Sequence, residues 1–141
     1  MKRKFFASLL SLTIVFATSC SKSSNSIPAN AAVVASQSAV SGTWRVSSFI
    51  NSGTNETAAF AGYSFVFSGA TVTATKNGII TNGAWSVNTS SVKFIIDLGP
   101  RGSSNIPLGE LTDDWRITSA NDTQIQLQDD SNVEFVTFTK N

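Results

Sequence analysis

The chain has 141 residues, ten basic and nine acidic side chains, one cysteine and no histidine. Without imidazole, and with a single thiol, it cannot assemble the usual zinc ligand sets, Ser-His-Asp triads or Cys-His dyads. Only 13% of its residues are charged, about half the usual share. Arg45, Lys76, Lys93, Arg101, Arg116 and Lys140 stand singly among acids, which excludes the basic stripe that nucleic-acid binding requires.

Lys2, Arg3 and Lys4 open the chain and Phe5 to Ala17 follows as an apolar run. That run is shorter than the ~20 residues a membrane span needs, so it reads as a secretory leader. It ends in Ala17-Thr18-Ser19-Cys20, which resembles a bacterial lipoprotein signal with Ala17 where Leu is more usual. The resemblance implies cleavage after residue 19 and lipid on Cys20, hence a membrane partner held through that lipid. It also implies residence in the cell envelope, at the outer membrane, with either face open. Without Lys2, Arg3 and Lys4, seven basic and nine acidic side chains remain.

Residues 20–40 hold the cysteine and a Ser/Ala/Asn-rich stretch without aromatics. This composition predicts a flexible tether. Residues 41–141 then form one domain. Period-two alternation dominates there, most clearly in Gln124-Ile125-Gln126-Leu127-Gln128, and predicts half-buried antiparallel strands. Strands are expected near 43–50, 62–68, 71–75, 79–87, 92–98, 114–119, 123–128 and 133–139, separated by turn chemistry such as Lys76-Asn77-Gly78 and Asp129-Asp130-Ser131-Asn132. Short connections between eight strands predict an all-β up-and-down barrel. Two longer gaps interrupt it: a helical turn is expected at 56–60 and an irregular flap at 99–113.

Gly42-Thr43-Trp44 recurs as Gly83-Ala84-Trp85, and Asp114-Trp115-Arg116-Ile117 echoes it. Gly62-Tyr63-Ser64-Phe65-Val66-Phe67 and Phe135-Val136-Thr137-Phe138 complete an ordered set over 41–141. This set resembles the lipocalin-like lipoproteins of Bacteroidota. The resemblance implies an eight-stranded lipocalin-like barrel with room for a small apolar ligand at its mouth.

Alternation points Trp44, Val46, Tyr63, Phe65, Phe67, Val72, Trp85, Val87, Phe94, Ile96, Trp115, Ile117, Ile125, Leu127 and Phe135 inward. Their aromatic members, Trp44, Tyr63, Phe65, Phe67, Trp85, Phe94, Trp115 and Phe135, either line a ligand site or fill the core. A filled barrel would instead act as an interaction module, meeting a protein or glycan through its loops or its uncharged polar sheet face. The acids, among them Asp129 and Glu134, fall mostly in expected turns, where carboxylates are normally solvated hydrogen-bonding groups that favour the local backbone. Neither catalysis nor a metal or cofactor is expected from them; the 129–132 run reads as a hairpin turn.

Overall fold

In the computed structural model, which describes residues 30–141, the alternating segments become nine antiparallel strands. They are β1 (Trp44–Asn51), β2 (Thr54–Asn55), β3 (Ser64–Ser68), β4 (Thr71–Lys76), β5 (Ile79–Asn88), β6 (Lys93–Asp97), β7 (Asp113–Ala120), β8 (Gln124–Gln128) and β9 (Glu134–Lys140). From β3 onward each strand pairs with the next, and β9 returns to β1 along its whole length, Trp44 opposite Lys140 and Asn51 opposite Glu134. The β1–β3 seam is held by one pair, Trp44 opposite Phe65. Eight strands thus close an up-and-down barrel, and β2 is an extra two-residue strand folded back on β1. Closure leaves few unpaired edges to recruit other chains.

Local chemistry explains the path. Asn77 and Gly78 take φ of 51° and 78°, the two left-handed residues of a tight hairpin whose twist matches its strands. The expected helical turn is a 3-10 turn at Thr57–Phe60, and Thr57 Oγ1 accepts from the Phe49 amide at 2.8 Å, satisfying β1 on the edge away from β9. A register shift in the β1–β9 ladder between Val46 and Ser48 moves the inward phase of β1. Trp44, Val46 and then Phe49 are buried as a result, so Phe49 escapes any strict period-two reading.

Two expectations need correction. The tether does not extend to residue 40, because Ala31–Ala39 form a helix, α1, with Ala31, Ala32, Ala35, Ser38 and Ala39 buried against the barrel. Alanine is the best helix former and its small side chain fits over bulky rings, yet it leaves no large apolar stripe to read. The packed unit therefore begins before residue 41. Phe135 is also reversed. It faces outward and is 41% exposed, while Val136 and Phe138 on the same strand are buried. The expected leader, Cys20 and the tether up to residue 29 lie outside the described residues.

Candidate functional site

Any site in the barrel must use the side chains that alternation sends inward. Trp44, Phe65, Phe67, Phe94 and Trp115 are all at most 1% exposed, and Trp85 is 6% exposed. Their rings meet across the lumen. Phe67 on β3 lies edge-on to Trp85 on β5, Phe94 on β6 and Phe138 on β9, with centroids 5.1, 5.5 and 5.8 Å apart. Phe65 meets Phe138 at 5.5 Å. These separations are those of directly packed aromatic pairs. One residue therefore bridges strands on opposite sides of the barrel, and the middle of the lumen is occupied by protein.

Both ends are covered by short helices, each secured by a tryptophan. At one end the Trp44 indole Nε1–H donates to the Ala39 carbonyl at the C-terminus of α1, 3.0 Å away. Ser38 Oγ adds a bond to Asp122 in the β7–β8 turn. At the other end a 3-10 turn, Leu108–Leu111, buries Leu108 and Leu111, and Trp115 Nε1–H donates to the Leu111 carbonyl at 2.9 Å. Helix termini leave carbonyls without partners, and an indole donor satisfies one. Trp85 differs: its buried Nε1–H has no acceptor among the described residues.

The flap is better organised than an irregular loop. Asn105 Nδ2 donates to the carbonyls of Leu98 and Pro100, and Thr112 Oγ1 donates to the Gly99 carbonyl while accepting from the Leu98 amide. Arg101 then fastens the flap to β9 by a two-pronged bond to Glu134, at 2.8 and 2.7 Å, with Glu110 and Asp113 within 3.5 Å. Bonding to Glu134 raises the Arg101 pKa against the opposing effect of burial, and the neighbouring carboxylates add to it. Burial is also the main cause of the raised Asp113 pKa. Asp129 and Glu134 are each 7% exposed, so neither is solvated as expected. Asp129 does sit in the expected 129–132 turn and bonds local backbone, and Glu134 lies in the expected last strand. Burial alone would raise the Asp129 pKa, but the Ser131 hydroxyl and the amides of Glu134, Val133 and Ser131 bond its carboxylate and bring it below its ordinary value. This carboxylate builds the β8–β9 turn, as an Asx-type acceptor does.

The expected site residues fall into three groups. Trp44, Phe65, Phe67, Trp85, Phe94 and Trp115 lie in the interior; Tyr63 is half-buried at its edge, stacked on Phe65 and covered by Lys76 Nζ 4.7 Å from its ring centroid; Phe135 lies outside. Cys20 lies outside the described residues. Sequence reasoning missed the Arg101–Glu134 pair, because partners 33 residues apart leave no local signature. Among the described residues no three His, Cys, Asp or Glu side chains are grouped to hold a metal ion. No helix there is long and apolar enough to cross a membrane.

No family model matches the chain. No curated protein matches it either. Among solved structures it is similar to a DUF4847-family protein of Bacteroides vulgatus, with a TM-score of 0.55 and 15% sequence identity, over 73% of this chain and 94% of that one. At that identity the likeness shows the barrel fold alone.

Proposed function

We propose that the chain is a lipid-anchored envelope protein whose lipocalin-like barrel serves as a filled scaffold, presenting its loops and outer sheet face to a protein or glycan. The observation that carries this reading is Phe67, whose ring touches partners on β5, β6 and β9. It occupies the place a carrier would give to cargo, since ligand pockets usually begin near ~300 Å³. The outer face of β3–β5 supports the same reading. Val66, Thr73 and Asn82 form a cross-strand row there, with Thr73 bonded to Asn82, and Thr75 sits opposite Ile80. Uncharged hydroxyl and amide groups beside small apolar ones can form hydrogen bonds without the desolvation cost of ions. A non-catalytic role and the lipid on Cys20 belong to this reading.

A carrier function is the second reading, and Trp85 favours it. A buried indole donor without a protein acceptor is suited to an oxygen of a small ligand or a buried water. Thermal melts with a fatty acid distinguish the two. A ligand binding only the folded state at a hundredfold excess over its Kd stabilises it by ~2.7 kcal/mol. The scaffold reading predicts no shift in Tm with fatty acid, and a concentration-dependent rise overturns it. The anchor is tested by fractionation: Cys20→Ser is expected to move the protein from the membrane to the soluble fraction, because two or three acyl chains hold firmly where none does not. Unchanged membrane retention contradicts the anchor.

A further inference from the structure

We propose that the α1 end of the barrel rests on the bilayer that holds Cys20, with Val33 and Val40 at the lipid interface and the Arg101 end pointing away; this rests on the lipid-anchor reading above. Three independent observations lead to it. The first is the orientation of α1. Its buried side consists of alanines and Ser38, whereas Val33 is 44% and Val40 53% exposed. Val33, Gln37 and Val40 follow one another at spacings of four and three, so they share the outward face.

The second observation is the division of charge. Besides α1, the chain at this end comprises the connections 40–43, 69–70, 89–92 and 121–123, and Asp122 is the one charged side chain in all of them. Its carboxylate is bonded to Ser38. Lys140, at the end of β9, is turned onto Ser41 Oγ and the Trp44 ring. Lys93, which opens β6 after the 89–92 connection, is held by Asp114 and Asp130. The connections at the opposite end carry Glu56, Arg101, Glu110, Asp129 and Asp130, with Lys76, Asp97, Asp113 and Glu134 at the adjoining strand ends. A surface of small polar groups and valines can approach a bilayer closely without stripping water from ions. The opposite end exposes Ile79, Ile80 and Ile106, but its carboxylates would have to approach anionic lipid, which repels them.

The third is reach. Ten residues, 21–30, separate Cys20 from α1, and fully extended they cover at most about 35 Å. The α1 end is thus where the chain from Cys20 joins the domain, and a short tether favours that end lying toward the lipid.

Cys20 is the only cysteine and is consumed by acylation in this reading, so an introduced thiol can be labelled alone. The lipidated full-length chain, carrying Val33→Cys, Val40→Cys or Ile79→Cys, is labelled with an environment-sensitive fluorophore. It is then reconstituted in phosphatidylethanolamine–phosphatidylglycerol vesicles containing a shallow spin-labelled lipid quencher. Ile79 is 73% exposed at the far hairpin, so all three positions tolerate substitution. Quenching is expected to be several-fold stronger at positions 33 and 40 than at 79. Equal quenching at all three, or stronger quenching at 79, in protein that floats with the vesicles overturns the orientation and leaves the anchor standing. Wild-type protein that does not float overturns the anchor, and the orientation with it.

Discussion

Two glycines that look equivalent in the sequence serve different physical needs. Gly42, before Trp44, has φ of 97° where the chain turns from α1 into β1, a conformation that excludes most side chains. Gly83, before Trp85, has no such φ, but a Cβ there would lie 2.1 Å from the Asp97 carbonyl oxygen and 2.9 Å from Leu98 Cδ2. The backbones of β5 and β6 meet too closely at that point to admit a methyl group. Gly83→Ala is therefore expected to lose about 1–3 kcal/mol through overpacking, measured as a lower urea midpoint at unchanged slope. At the same scale, Asp129 gives stability a pH dependence. A carboxyl held below its ordinary value of 3.8 stabilises the fold fully above that value, and this contribution disappears as pH falls through the folded pKa. Asp113, whose pKa is raised, acts in the opposite sense. Asp129→Asn is expected to be less stable than wild type at neutral pH, with the gap narrowing below pH 3.8; denaturant titrations over that range check it.

At the scale of elements, all eight strands of the barrel were legible from alternation and turn residues, because one buried face imposes period two on each. The hairpin at Asn77-Gly78 and the 3-10 turn ending at Phe60 were legible for the same local reasons. Signals carried by distant partners or by small side chains were not. Phe135 and Val136 compete for the inward phase of β9. Val136 and Phe138 share the apolar phase two residues apart, while Phe135 shares its phase with Thr137 and Thr139. Alternation read along the whole strand thus favours the buried pair, and Phe138 meets Phe65 and Phe67. Helix α1 hid in an apparent tether because alanines do its packing. It is part of the domain: a chain starting at Ser41 exposes the surface that Ala31, Ala32, Ala35 and Ala39 cover. At ~0.8 kcal/mol for each methyl-sized group uncovered, a chain from residue 30 is expected to be more stable by about 3 kcal/mol. Equal unfolding free energies for the two chains would show that α1 contributes nothing to the barrel.

At the scale of the whole molecule, the same sequence features were compatible with a lined cavity or a packed core, and only the meeting of rings across the lumen distinguishes them. Eight strands enclose little more than their own side chains. Phe65, Phe67, Phe94 and Phe138 fill the middle, while α1 with Trp44 and the flap with Trp115 close the ends. The scaffold reading proposed above places function at the surface, where the connections at the Arg101 end carry more charged side chains than those at the α1 end. Native mass spectrometry of residues 30–141, gently purified from the protein's own host, tests this account most directly. A bare polypeptide mass, unchanged after exposure to fatty acids, is the result it predicts; a reproducible additional mass of a small molecule retained by the folded barrel would contradict it.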